Sequence, residues 1–365
     1  MPTFRLLHAS DLHVGLTPYT FGRLPPGKKT RKKRLISHDP AVVKAFVQWV
    51  WQNGWWGPAP PPPGQPGFDF LLLTGDMATT GDQGDLRAAR QVVDADPILG
   101  THLTPANPPA PTLAFVHPST THLRLLPGNH DRYDPWYRGY TPGATDFDIV
   151  FRTTAVQRGY WDIGQGWDRV GGRVRQGMAL RVWAIDFTLR PWDYGKRNYL
   201  LPGWLGQGRV LADVLYGNPG GPGKPAPGSL VDEAQRWAKA MRAKELTPVA
   251  VWAIHFDPFG SNPLLELLDS GLLAEATREA NVVAVLCGHT HETKVKPLTD
   301  KTVVLACGAT TAAAEPCNDF QVIEIDPPSD PAVNPRPVFR VTVYRYDGPA
   351  GQVGAFHEVG RVTVP

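Results

Sequence analysis

Five short fragments of this chain carry side chains that bind metals, and they occur in one order. Asp11 and His13 come first, then Asp76, then Asn129-His130-Asp131, then His255, then His289 and His291. Imidazole nitrogens, carboxylate oxygens and one amide oxygen form a donor set suited to manganese, iron or zinc. It differs from the oxygen cage of calcium and from the thiolates of a structural zinc. Asp11, His13, Asp76, Asn129, His255, His289 and His291 are enough to hold two ions side by side. Two metals sharing a bridging ligand are a standard device for cleaving phosphate esters. An isolated Asp-x-His or Gly-Asp is weak, since such pairs usually make a turn or a helix cap. Gly288-His289-Thr290-His291 after an apolar run is stronger, and Pro127-Gly128-Asn129-His130-Asp131 is stronger again. Their occurrence in order argues against unrelated polar residues that merely finish strands.

Each fragment follows an apolar run that reads as a buried strand. Strands are expected at 4–8, 68–73, 123–126, 180–185, 249–254, 282–286 and 303–306, and helices at 39–52, 82–94, 231–244 and 263–280. Asp39-Pro40 is a common helix start, a capping carboxylate before a proline in the first turn. Val231, Ala234, Trp237, Ala238 and Met241 fall on one helical stripe. Alternating strands and helices indicate an α/β protein with both sheet faces covered. The donors then lie at strand carboxyl ends, where open α/β sheets place their sites. The i, i+2 spacing of Asp11 with His13, and of His289 with His291, suggests an extended backbone aiming both side chains to one side. Gly75, Gly128 and Gly288 suit tight turns where the backbone approaches the centre closely. In the last forty residues, strands at 338–346 and 353–364 without a helix between them would complete the edge of a second sheet.

Proline (38 residues) and glycine (37 residues) concentrate in 54–67, 134–177 and 196–228, which are expected to be long surface loops of one domain spanning 1–365. Of twelve tryptophans, nine fall into two groups. Trp49, Trp51, Trp55 and Trp56 are expected to cover a sheet face. Trp136, Trp161, Trp167, Trp192 and Trp204 lie in the long loops, where some can line a cleft. The net charge of +3 argues against a protein built to coat nucleic acid. Cys287, Cys307 and Cys317 are too few and too late in the chain for a disulfide framework. No apolar run approaches the ~20 residues needed to cross a bilayer. Phe4 opens a strand with no charged-then-apolar leader before it, so a soluble cytoplasmic protein is expected.

From residue 4 to about 310 the ordered fragments resemble the calcineurin-like metallophosphoesterases. The resemblance implies a four-layer α/β/β/α sandwich with two mixed β-sheets and a dinuclear metal centre at the strand ends. It implies that Asp11, His13 and His291 hold one metal, that Asn129, His255 and His289 hold the other, and that Asp76 bridges both. His130 matches the family's non-ligand histidine, which contacts phosphate and protonates the leaving oxygen, with Asp131 orienting it. The implied substrate is a small phosphoester.

Within the family the chain is most similar to the cyclic-nucleotide phosphodiesterase type. Leu72-Leu73-Thr74-Gly75-Asp76 followed by Thr79-Thr80-Gly81 carries that likeness, with Pro127-Gly128-Asn129-His130-Asp131 and Trp183-Ala184-Ile185-Asp186. That group often reads His-His-x-Pro where this chain has His255-Phe256-Asp257-Pro258, so a substrate-facing histidine is missing at that position. The opening Leu7-His8-Ala9-Ser10-Asp11-Leu12-His13 also resembles the Mre11/SbcD-type DNA nucleases. Lys28, Lys29, Arg31, Lys32, Lys33 and Arg34 could grip a phosphodiester backbone, although a solvated loop is the favoured reading. The sequence after residue 310 shows no sign of that group's capping region. A phosphomonoesterase and a catalytically dead scaffold are the remaining alternatives, and the scaffold would be expected to have lost a donor.

Overall fold

The computed structural model describes residues 3–15, 19–21, 34–53, 67–93, 123–132, 146–147, 150–151, 167–188, 208–260, 265, 267–313, 317–328, 336–349 and 354–364. The strands are β1 (Phe4–Ala9), β2 (Tyr19–Phe21), β3 (Arg34–Ile36), β4 (Phe70–Leu73), β5 (Leu123–Leu125), β6 (Trp167–Arg175), β7 (Met178–Ile185) and β8 (Gly208–Arg209). They continue with β9 (Thr247–Ala253), β10 (Leu267–Leu268), β11 (Val282–Cys287), β12 (Lys294–Pro297), β13 (Val303–Ala306), β14 (Asp319–Asp326), β15 (Val338–Tyr346) and β16 (Phe356–Val364). Helices are α1 (Pro40–Asn53), α2 (Gln83–Val93), α3 (Asn129–Arg132), α4 (Ala212–Tyr216), α5 (Leu230–Arg242) and α6 (Ser270–Glu279).

Two six-stranded mixed sheets form the frame, in the orders β16-β15-β14-β1-β4-β5 and β12-β13-β11-β9-β7-β6. In the first, β1, β4 and β5 run parallel while β14, β15 and β16 are antiparallel additions. In the second, β13, β11, β9 and β7 are parallel, with antiparallel β12 and β6 at the edges. Burial along β7 shows how the layers stack. Met178, Leu180, Val182 and Ala184 join the core shared with β1 and β4, whereas Ala179, Trp183 and Ile185 join a second core with α4, α5 and α6. This two-residue alternation puts one face of the sheet on the other sheet and one face under helices. On the first sheet Phe46 and Trp49 of α1 lie against Phe320, at ring separations of 5.3 and 4.6 Å. The result is the expected α/β/β/α order. Each fully buried Leu, Val or Phe contributes about 1.5–3 kcal/mol, so the frame is well supplied.

Local chemistry explains the helix starts. Asp39 accepts from Ala41 N at 2.8 Å, capping α1 as expected. Ser229 accepts from Asp232 N, and the Asp232 carboxylate returns to Gly228 N at 2.6 Å, a reciprocal cap for α5.

Several expectations need correction. The stretch 134–177 contains β6, which pairs along β7 through residues 167–175. Trp167 is therefore a buried strand residue in the second core. The stretch 196–228 contains β8 and α4. The helix expected over 263–280 begins at Ser270, because Leu267 and Leu268 pair in parallel with Gly208 and Arg209. β15 and β16 extend the sheet that holds β1, through the unforeseen strand β14. Lys28 to Lys33, Trp55, Trp56, Trp136, Trp161, Trp192 and Trp204 lie outside the described residues. Among the described residues no helix is long and apolar enough to cross a membrane.

Candidate metal centre

All seven expected donors, together with His130, lie just beyond strand ends: after β1 (Asp11, His13), β4 (Asp76), β5 (Asn129, His130), β9 (His255) and β11 (His289, His291). Ligand atoms of Asp11, His13 and His291 fall within 4.8 Å of one another. The same limit groups Asp76, His255 and His289, and also His13, Asp76 and His130. Asp76 thus belongs to two clusters, and His13 links the third. Asn129 joins through Oδ1, which is 3.0 Å from His255 Nε2. Asp11 Oδ1 lies 3.3 Å from His291 Nε2, and Asp76 Oδ2 lies 3.4 Å from His255 Nε2.

The backbone delivers these side chains differently from the expected extended run. Asp11, His13, Asp76, His289 and His291 all have positive φ, between 50 and 73°. A left-handed conformation costs about 1–3 kcal/mol for a non-glycine residue, and such strain persists only where surrounding structure imposes it. Five of the nine non-glycine residues with positive φ among the described residues are expected donors. Gly75, at φ 102°, and Gly128 make that possible: a methyl group on Gly75 would strike the His255 ring, and one on Gly128 would strike the Asp76 carboxylate. A methyl group on Gly288 would strike Ser10 and Asp11.

Hydrogen bonds then fix the rings. His255 Nδ1 faces the Thr74 carbonyl at 2.8 Å, which sets the tautomer and leaves Nε2 toward Asp76 and Asn129. His130 Nδ1 faces the Thr79 carbonyl at 2.9 Å. Asp131, expected to orient His130, has another task. Its carboxylate accepts from Met77 N, Ala78 N and Gly128 N at 3.2, 2.8 and 2.9 Å, tying the Asp76 loop to the Asn129 loop. The geometric reason is that Asp131 points back under α3 to those amides while the His130 ring lies along the Thr79 carbonyl.

Charge state follows from burial and neighbours. Burial opposes ionisation of Asp11 and Asp76, but His291 holds the Asp11 carboxyl, and His255 and His130 hold the Asp76 carboxyl, well below the usual range. Burial, then the nearby His130, pushes His13 down to about 3. Burial, then His255, does the same for His289, also to about 3. Both are neutral imidazoles at physiological pH, the form that ligates a metal. Burial disfavours a charged His255, yet Asp76 outweighs it and lifts the ring to about 9. Burial and the charge of Asp76 push Asp131 up to about 7 against its three amide donors.

The donor set fits a metal pair on an independent observation. His289 Nε2 is buried with no hydrogen-bond partner, and Asp11 Oδ1 makes no good hydrogen bond beyond its 3.3 Å approach to His291 Nε2, a costly state unless a cation completes them. Phe256 resolves the departure at His255-Phe256-Asp257-Pro258. It is fully buried, with ring centroids 5.0 Å from His255 and 4.8 Å from His289, so this position packs the two imidazoles and does not face a cleft. Sequence reasoning missed the Thr74 and Thr79 carbonyls and Asp257. No side-chain type flags a backbone carbonyl, and Asp257 stands outside every metal-binding pattern.

A family model described as calcineurin-like phosphoesterase matches residues 4–293. No curated protein matches the sequence. Among solved structures, a dimetal phosphatase from Danio rerio is 11% identical, with 100% of this chain and 99% of that one covered at a TM-score of 0.49. A 5'-nucleotidase from Candida albicans is 10% identical, with 92% of this chain and 49% of that one covered at a TM-score of 0.41. Likenesses at these scores carry no argument about substrate or mechanism.

Proposed function

Because this chain belongs to the calcineurin-like phosphoesterase family, and is a metal-dependent phosphoric ester hydrolase, we propose that it hydrolyses phosphodiesters at the cluster around Asp76. The sharing of Asp76 between two donor clusters carries this reading. Asp11, His13 and His291 would hold one ion, Asn129, His255 and His289 the other, with Asp76 between them. Manganese, iron and zinc all suit the set. Such a pair supplies Lewis acidity toward phosphoryl oxygens and makes water acidic enough to attack near neutral pH.

The chain's own groups do the rest. The Thr79 carbonyl holds His130 Nδ1, which leaves Nε2 free to face the ester. With Nδ1–H given to that carbonyl, Nε2 carries a proton only in the imidazolium form. In that form the proton would pass to the departing alkoxide as the phosphorus–oxygen ester bond breaks, leaving a neutral ring, a contribution typically worth 10²–10⁴-fold. The neighbouring Arg132 is paired with Asp186 at 2.7 Å.

Preference for a diester rests on cation economy. A diester carries one negative charge, whereas a monoester carries nearly two. Among the described residues, the basic side chains that flank the donors in sequence are already committed, Arg132 to Asp186 and Lys294 to Glu292 and Asp257. The likeness to cyclic-nucleotide phosphodiesterases adds cyclic AMP as a substrate to try first. With manganese added, kcat/KM for bis-p-nitrophenyl phosphate should exceed that for p-nitrophenyl phosphate. The reverse ratio would make the chain a monoesterase, and cleavage of single- or double-stranded DNA ahead of cyclic AMP would favour the nuclease alternative.

A further inference from the structure

Asp257 is fully buried two residues beyond His255, and neither metal binding nor proton transfer to the leaving group uses it. Its Oδ1 accepts from Phe259 N at 2.8 Å, which turns the chain after β9 back on itself. Its Oδ2 accepts from Thr290 Oγ1 at 3.0 Å and from Lys294 Nζ at 3.4 Å. Thr290 is the residue between His289 and His291, so the carboxylate reaches across from one donor loop and holds the middle of the other. Lys294 reinforces the same point through its pair with Glu292. Other ties act on the same loop, Gly288 N to His255 O at 2.9 Å, Thr290 N to Gly288 O at 2.9 Å and His289 N to Asp11 Oδ2 at 2.9 Å, but these hold its entry, whereas the Asp257 carboxylate holds the Thr290 side chain in the middle of it.

The turn that separates the two histidines is strained. His289 has φ 73° and His291 has φ 56°, left-handed values that a non-glycine residue adopts only at a cost. His289 groups with Asp76 and His255, whereas His291 groups with Asp11 and His13, so Thr290 sits between residues assigned to different ions. We propose that Asp257 and Thr290 form a positioning clamp that imposes this turn and thereby sets both metal positions at once. The clamp rests on the dinuclear reading of the site and adds residues that the metal-binding pattern does not contain. Asp257 is fully buried and Thr290 acts through the backbone of its histidine neighbours, so the proposal makes both positioning residues.

The test uses the full chain with manganese. Thr290→Val removes the hydroxyl at nearly constant volume, and Thr290→Ser restores it. Groups that orient metal ligands typically govern about 10–100-fold in affinity or activity. Thr290→Val should therefore weaken manganese binding about tenfold at both positions and lower kcat similarly, with KM for bis-p-nitrophenyl phosphate little changed. Thr290→Ser should recover most of both losses. A merely structural role would lower the melting temperature of the metal-free protein and leave manganese affinity per folded molecule unchanged, and that outcome overturns the clamp. Should Thr290→Val not fold, Asp257→Asn is measured in the same way, with the same loss expected and wild-type affinity again refuting the proposal. The two levels separate cleanly. Wild-type protein that takes up no manganese and cleaves no ester defeats the reading of the site, whereas an active wild type with an unaffected Thr290→Val defeats the clamp alone.

Discussion

In the first sheet, the loops after β1 and β4 remain laced by main-chain hydrogen bonds beyond the strand ends. Asp11 N donates to Gly75 O at 3.0 Å, His13 N to Asp76 O at 2.9 Å and Val14 N to Met77 O at 2.9 Å. In the second sheet, the loops after β9 and β11 are joined by Gly288 N to His255 O and then by side chains converging on Asp257. The first half supplies both carboxylates, Asp11 and Asp76, while the second supplies only imidazoles. The halves meet where His255 Nδ1 faces Thr74 O and where His289 N donates to Asp11 Oδ2 at 2.9 Å. Both carboxylates thus sit beside a backbone ladder, whereas the loops that carry His255, His289 and His291 are joined largely through side chains. Mutations should therefore act differently in the two halves.

The largest effect should come from the charged half. Asp76→Ala removes the donor common to two clusters and should abolish metal uptake and turnover together, a fall of at least about 10³-fold, the upper range for loss of one preorganised electrostatic group. Metal analysis beside a turnover assay checks it, and retained metal with full turnover would remove Asp76 from the centre. Next comes His130→Ala. Metal content should stay at the wild-type level while turnover falls about 10²–10⁴-fold on an alkyl ester, with a much smaller loss on a nitrophenyl ester whose leaving group needs no proton. Equal losses on both esters would contradict the acid role, and loss of metal would make His130 a ligand.

Smaller effects test the ladder itself. Asp131→Ala orphans the buried amides of Met77, Ala78 and Gly128. An unsatisfied buried donor costs about 1–3 kcal/mol, so urea denaturation of the metal-free protein should show a loss of about 3 kcal/mol or more. A loss below about 1 kcal/mol would mean that the first half holds its shape without this carboxylate. The smallest effect belongs to neither half. Ser229→Ala removes the α5 cap and should cost about 1 kcal/mol with unchanged kcat. A change in kcat there would show that the outer helical layer and the site are coupled.

The expected donors are legible because each is a distinctive side chain placed directly after an apolar strand, and β1, β9, β11 and β13 can be read from their runs of Leu, Val and Ala. What cannot be read depends on contacts made through space. β6 carries Gly171-Gly172 and lies in a glycine-rich stretch, yet it forms because β7 offers a free edge. The start of α6 is displaced because Leu267 and Leu268 find a partner in β8. Asp and His tolerate left-handed backbone better than most residues, but their type alone does not mark Asp11, His13, His289 and His291 as left-handed turns, because the surrounding structure imposes the strain. Adjacency in sequence pairs Asp131 with His130, whereas its real partners lie about fifty residues upstream at Met77 and Ala78, and at Gly128.

The central claim is that one shared carboxylate organises two ions, and manganese titration of the metal-free chain by calorimetry tests it most directly. The structure predicts two ions per chain for the wild type, with diester cleavage appearing as the second site fills, and neither site filled in Asp76→Ala. Full activity with a single ion per chain, or two ions still bound by Asp76→Ala, would contradict it.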